Sequence, residues 1–552
     1  MLLIKASFKK SPLIAAVVLT FAIAGYAQQS KLGKVDFPNS GAEKAQAHFL
    51  RGLAALHSFW FEEALDEFRE STKIDPDFAM GYWGEAMAYN HPLWAEQDTE
   101  AGRKTVAKIK ETAKLTERER AYINAVRLLY GEGDKLTRDR AYSSAMEKIY
   151  RRYPDDLEAA SFYSLSLLGT VRPGDKGYSR QMKAGAIAMD VYQKNPNHPG
   201  AAHYVIHSFD DPEHAILALP AARRYAEIAP DAHHARHMPA HIFVQLGMWP
   251  EAAASNESAW AVSNEWVKRK GLAISARDYH SLHWLLYVYL QQGRFAKAEE
   301  LLSVKRTDMS GAGGDAGVAR YNEDMAAAFV VETERWDLVP KLFGRAGTTD
   351  EAGAHAAHNA GPPAQMSMRA RRNQSLPIFA RGMAAAKAGA PDADKSVAEL
   401  QALRKQMTEG GDAYAAKAVE IRELEVAAVA AASRGKHAEA IQMMQRATAI
   451  EEEMSPPSGP PTLIKPSHEL FGEILLGANR PKEAAQQFAT ALLRQPNRAR
   501  SLLGAARAAA QGGDAKSAAE IYSALLRQWQ QADAQLAELR EAQDYLKQAS
   551  AR

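Results

Sequence analysis

Residues 52–76 read GLAALHSFWFEEALDEFRESTKIDP. Gly52, Ala64, Phe68 and Pro76 stand 12, 4 and 8 positions apart, and the same separations return as Gly472, Ala484, Phe488 and Pro496, joined by Ala491. The next unit comes 34 residues on, in Ala506, Ala518 and Tyr522. A period of this length, made of two apolar helical runs and a turn, marks an array in which each helix pair buries its apolar face on the next. The small residues admit a neighbouring helix, the aromatic fills the space between, and Pro follows the end of the second helix.

These residues resemble the tetratricopeptide-repeat (TPR) family, whose 34-residue unit is a helix–turn–helix. The match is strong in residues 45–78 and 465–532 and keeps phase between them, with units near 79, 199, 233, 279, 320 and 421 and further helix pairs around 117–195 and 376–410. Counted in such units it covers roughly 85% of the chain. Gly247-Met-Trp-Pro250, Gln292-Gly-Arg294 and Arg434-Gly-Lys436 are turn signals between helical runs. No alternating strand pattern of useful length is present. The resemblance implies an all-α, right-handed superhelix with a concave inner groove. His203-Tyr-Val-Ile-His207, His237-Met-Pro-Ala-His241-Ile, Tyr279-His280-Ser-Leu-His283-Trp284 and Lys465-Pro-Ser-His468-Glu-Leu are also similar to segments of a subgroup of exported bacterial TPR proteins, a resemblance that supplies a family and no activity.

On this reading the chain divides into a signal peptide (1–27), a linker (28–44), N-terminal units (45–195), central His-rich units (199–345), a loop (346–375) holding His355 and His358, helical repeats (376–454), a Pro-rich loop (455–466) and C-terminal units with a terminal helix (467–552). The Pro-rich stretch SPPSGPPTLIKP is read as a surface excursion rather than a cover over the groove. Lys5, Lys9 and Lys10, the apolar run Leu13 to Ile23 and Gly25-Tyr26-Ala27 before Gln28 have the layout of a secretory signal. Export, to a periplasm, is therefore expected, and no later run is long and apolar enough to span a bilayer.

The chain has no cysteine, which excludes disulfides, thiolate nucleophiles and Cys-ligated zinc. Without its first 27 residues it carries 65 basic and 66 acidic residues. Near neutrality without a basic stripe argues against nucleic acid as a partner, because that affinity comes largely from neutralising phosphates. A protein segment, a peptide or a small molecule is the expected ligand.

Of 17 histidines, eight lie between His198 and His241. His203 and His207 are four apart, as are His237 and His241, so each pair shares a helix face. The second pair follows the first by 34 residues, the repeat period. His280 and His283 open the next unit. The TPR resemblance places these six and His234 at the second, fifth and ninth positions of first helices, which look into the groove. It places His57 and His91, also 34 apart, at another groove-facing position. Imidazoles one helical turn apart are a half-site for a transition metal, and adjacent helices lie about 8–10 Å apart, near enough for two half-sites to meet. The candidate ligands are His203, His207, His234, His237, His241, His280 and His283, with zinc, copper or iron possible and none certain. Asp210, Asp211, Glu213 and Asp278 are candidates to orient the rings from behind. Pro239, between His237 and His241, is expected to kink or restart its helix.

His57, His91, Tyr82, Trp83, Asn256 and Trp284 are the candidate lining of a ligand groove, with Asn256 also able to tie the His237 helix to its neighbour. Aromatics are dense early in the chain (Phe59, Trp60, Phe61, Tyr82, Trp83, Tyr89, Trp94); most are expected to be repeat core, and a minority, with His57 and His91, are candidates to line the groove and hold an apolar or planar ligand. No HExxH, GxSxG or P-loop pattern occurs, so catalytic residues are not assigned and enzymatic activity is left open. The leading expectation is a scaffold that captures a peptide, protein segment or small molecule in its groove. The alternative is a metal-binding protein or metal-dependent enzyme using the histidines.

Overall fold

The computed structural model describes residues 31–175, 177–343, 368–461 and 463–550. The expected signal peptide and the loop histidines His355 and His358 lie outside the described residues. Among those described, helices follow one another in antiparallel pairs, and the only β-structure is the two-residue pairing of Asn90–His91 with Glu96–Gln97. The chain is an all-α solenoid of TPR-type helix hairpins.

Its repeat packing has a simple origin. Phe68 lies between Gly52 of its own hairpin and Gly84 of the next: a Cβ built on either would come within 3.0 and 2.3 Å of the Phe68 ring. Phe488 repeats this between Gly472 and Gly504, with 2.6 and 2.2 Å. A ring without free space on either side leaves one register for three successive helices, and larger residues at these glycines would force the helices apart. Turn glycines Gly247, Gly293 and Gly435 take φ values of 65–76°, the left-handed region that glycine enters without strain.

Three boundaries differ from expectation. Residues 31–42 are no free linker: Phe37 is buried among Phe49, Trp83 and Tyr122, and the Lys34 amide donates to the Asn197 carbonyl at 2.8 Å. An aromatic side chain gains too much from burial to be left on a tether. The helix Met368–Lys387 begins eight residues before position 376. The Pro-rich segment folds inward instead of projecting, as described below.

The superhelix also closes on itself. The first hairpin touches the central units where the Trp60 and Trp266 rings meet at 5.5 Å and Lys270 bridges to Glu63 at 2.8 Å. The last hairpins lie on the central ones. Trp249 and Trp529 donate from their indole nitrogens to the carbonyls of Asn497 (2.9 Å) and Gln291 (3.0 Å), and buried Arg498 pairs with Glu469 and Glu332. No helix among the described residues is long and apolar enough to cross a membrane.

Candidate metal centre

Three successive hairpins supply the site. The helix Pro199–Ser208 starts with Pro199 in its first turn, behind the His198 ring, whose Nδ1 accepts the Ala201 amide at 3.1 Å. It carries His203 and His207. In the second hairpin Pro239 does restart the helix, giving His233–His237 and Pro239–Gln245 with Met238 between them. His237 and His241 still converge, because Met238 keeps helical φ and ψ of −54° and −35°. The third helix, Tyr279–Gln291, is capped by Asp278, which accepts the Ser281 amide, and it presents His280.

The rings fall into two triads. His207 Nε2 and His234 Nε2 lie 3.0 and 3.2 Å from His203 Nε2. His237 Nε2 and His241 Nε2 are 3.1 Å apart, with the His280 ring 4.6 Å from that of His237. Within each triad, one nitrogen from every ring lies within 4.8 Å of the others. The triads adjoin: the His207 and His241 rings are 5.6 Å apart, and those of His234 and His237 5.9 Å.

The outward nitrogens fix the chemistry of the inward ones. His203 Nδ1 meets the His57 carbonyl at 2.7 Å, which can only accept, so this nitrogen carries the proton and Nε2 presents a lone pair. His237 Nδ1 donates to Asn256 Oδ1 at 2.7 Å, and Asn256 is held in that orientation by donating from Nδ2 to the Ala252 carbonyl. His241 Nδ1 donates to Asp210 Oδ2 at 2.6 Å. The His237 and His241 lone pairs thus face each other at contact distance. Burial, with neighbouring imidazoles adding to it, holds His203 and His237 down to about 3. The same causes push His207, His234 and His280 well below the usual imidazole value. His203 and His237 are thus neutral rings whose Nε2 lone pairs aim inward.

Aromatic walls enclose it. Phe59 has a left-handed φ of 52°, unfavourable by about 1–2 kcal/mol for a residue with a Cβ. Its ring lies 4.3 Å from that of His203, and it stacks on His207 and His234. Trp94, at the tip of the small β-hairpin, stands 6.3 Å from His234. Trp284 covers the second triad, 4.2 Å from His241 and 4.8 Å from His237. The Pro-rich segment lies on Trp284: a Cβ on Gly459 would come within 2.3 Å of the indole, and Gln245 Nε2 joins the Pro457 carbonyl to Asp210. The histidines therefore sit in a largely covered hollow, with His207 and His280 half-buried, rather than along an open groove.

Six of the seven proposed ligands meet in this chamber. His283 does not: three positions after His280, it turns aside and stacks on Tyr321 at 5.2 Å. The groove assignments need more correction. His57 is fully buried, paired with Glu158 at 2.6 Å and Tyr204 at 2.8 Å, and it supports His203 through its backbone. His91 stacks on Phe61 at 3.9 Å, outside both triads. Trp83 is core against Tyr122 and Phe162. Tyr82 donates to the Pro76 carbonyl at an exposed position. Asn256 stands behind His237 and lines nothing. Only Trp284 of that group faces the chamber, while Phe59 and Trp94, from the early aromatics, take the lining role. The sequence marked a minority of the early aromatics as lining without singling these two out, since Phe59 sits in a turn that meets the histidines only when distant hairpins close.

Asp210 orients His241, as considered from the sequence. Asp211 instead pairs with His214, and Asp278 with His233. Glu213 makes no contact with the cluster rings.

No family model and no curated protein matches this chain. Solved structures do resemble it. The Cut9–Hcn1 hetero-tetramer of the APC/C matches at 11% identity over 92% of this chain and 76% of that one, with a TM-score of 0.36. Ypp1 matches at 10% identity over 91% and 86%, with 0.40. A STAND ATPase with a tetratricopeptide-repeat sensor from Pyrococcus horikoshii matches at 13% over 89% and 74%, with 0.34. Fold and site together define a helical-repeat protein with a buried imidazole chamber.

Proposed function

We propose that this protein binds a transition metal through the imidazoles of His203, His207, His234, His237, His241 and His280. One observation carries the reading: three Nε2–Nε2 contacts of 3.0–3.2 Å, with the opposite edges of His203, His237 and His241 turned onto acceptors. Two nitrogens about 2.1 Å from one tetrahedral ion stand about 3.4 Å apart, close to what is found. Ring orientation from behind by a carbonyl, an amide and a carboxylate is the usual support for metal-ligating histidine. Three nitrogens per ion leave a position open for a further ligand.

Capture of a peptide or protein segment is the second reading. It is favoured by Trp94, whose ring is 41% exposed beside His234 at the chamber rim. The basic and apolar layout of residues 1–27 supports an exported, periplasmic protein.

The test is metal analysis of untagged protein, with thermal unfolding in zinc and in copper. Bound metal and a raised Tm are expected, with both reduced in His203→Ala or His237→Ala and lost when the two substitutions are combined. Protein that takes up neither ion and shows no shift contradicts the proposal.

A further inference from the structure

Resting on that metal-binding reading, we infer that the two triads hold two copper ions as one coupled pair, which share a single small anionic ligand between them.

The donor set is one that copper accepts with high affinity. All six candidate ligands are imidazoles. The nearby carboxylates stand behind rings, Asp210 on His241 and Asp278 on His233, rather than in the donor set. Nitrogen-only sites without oxygen or thiolate donors suit copper, which heads the divalent affinity series. The triads adjoin, joined by the His207–His241 and His234–His237 ring contacts at 5.6 and 5.9 Å.

Charge calls for the shared ligand. Two divalent ions among neutral rings bring four positive charges into a chamber walled by Phe59 and Trp284. Asp210 and Asp278 answer two of them. Uncompensated charge out of water costs several kcal/mol per ion, which an anion within the chamber relieves. Each triad leaves an open position on its ion, and one anion between the triads serves both ions at once. The Trp284 ring against His241 and the close seating of Gly459 on that indole crowd the approach, which favours a small anion such as hydroxide or azide over a bulky one.

The full chain, stripped of metal, is titrated with copper(II), and bound copper is compared with the integrated electron paramagnetic resonance signal before and after adding azide. Two equivalents with a signal far below that of two isolated ions, and a new azide-to-copper charge-transfer band, are expected. His207→Ala should bind one equivalent and show the full signal of one ion. His280→Ala, altering the other triad at a half-buried ring, should do the same. Saturation at one equivalent in the unaltered protein, or two equivalents with undiminished signal, overturns the pair while leaving metal binding intact. Failure to take up any copper or zinc removes the metal-binding reading itself.

Discussion

Two histidine clusters lie side by side in this protein and differ in one respect. In the first, His57 and His198 both point their Nε2 atoms at Glu158, at 2.6 and 3.1 Å, while His57 Nδ1 meets the Tyr204 hydroxyl and His198 Nδ1 accepts an amide. Every nitrogen has a partner of opposite kind. In the second, the six-ring chamber, nitrogens face nitrogens. Three ligand atoms come together in both, so proximity does not separate them. The inventory of donors and acceptors does. The first cluster is complete as protein, and the second is one that the proposed cation would complete.

The largest expected effect breaks the first cluster. Glu158→Ala strands two buried imidazoles and should cost about 3–5 kcal/mol in urea unfolding, while copper uptake by the surviving folded protein persists. Metal acts on the second cluster: copper at about 100 times its Kd should raise unfolding free energy by about 2.7 kcal/mol for each ion bound, and His207→Ala should reduce that gain. Asn256→Ala leaves His237 Nδ1 without an acceptor. It should lose about 1–3 kcal/mol and weaken metal affinity about 10–100-fold, read by unfolding and competition titration.

Acid should resolve the clusters by order. His203 and His237 are held to about 3 when folded, against about 6.5 when unfolded, so the unfolded chain takes up protons first. Their contribution is present above pH 6.5 and is lost as pH falls towards 3, by up to about 1.4 kcal/mol per pH unit for each group. Burial alone would raise the Glu158 carboxyl, but the His198 and His57 rings hold it well below the usual range, so its contribution is lost only below about pH 4.5. Metal-free protein should therefore have a lower urea midpoint at pH 5 than at pH 7. The most local effect is expected from Gly459→Ala, whose added methyl meets Trp284 at a backbone φ of 145° that favours glycine. About 1–3 kcal/mol of local strain should loosen the Pro-rich segment, seen as faster amide exchange there and as faster metal release.

The repeat was legible because Phe68 and Phe488 demand glycine and alanine at fixed intervals, and that demand is local to each hairpin. The histidine pairs were legible for the same reason, since a repeat period places equivalent residues side by side on stacked helices. His283 misled because the rule that placed it on the shared face takes no account of the Tyr321 ring, which draws it aside. His57 misled differently: its helix position matched, but Glu158, 101 residues away, claims its ring.

By itself, the sequence determined the helical period, the phase of the imidazoles on successive helices and the want of any thiol. Tertiary structure alone decided that the hollow closes, that Phe59 and Trp284 wall it, and that one histidine cluster is satisfied while its neighbour is not. The reason is physical. Periodicity is written in near neighbours, whereas the proton on each ring is assigned by partners that only long-range packing brings within hydrogen-bond distance.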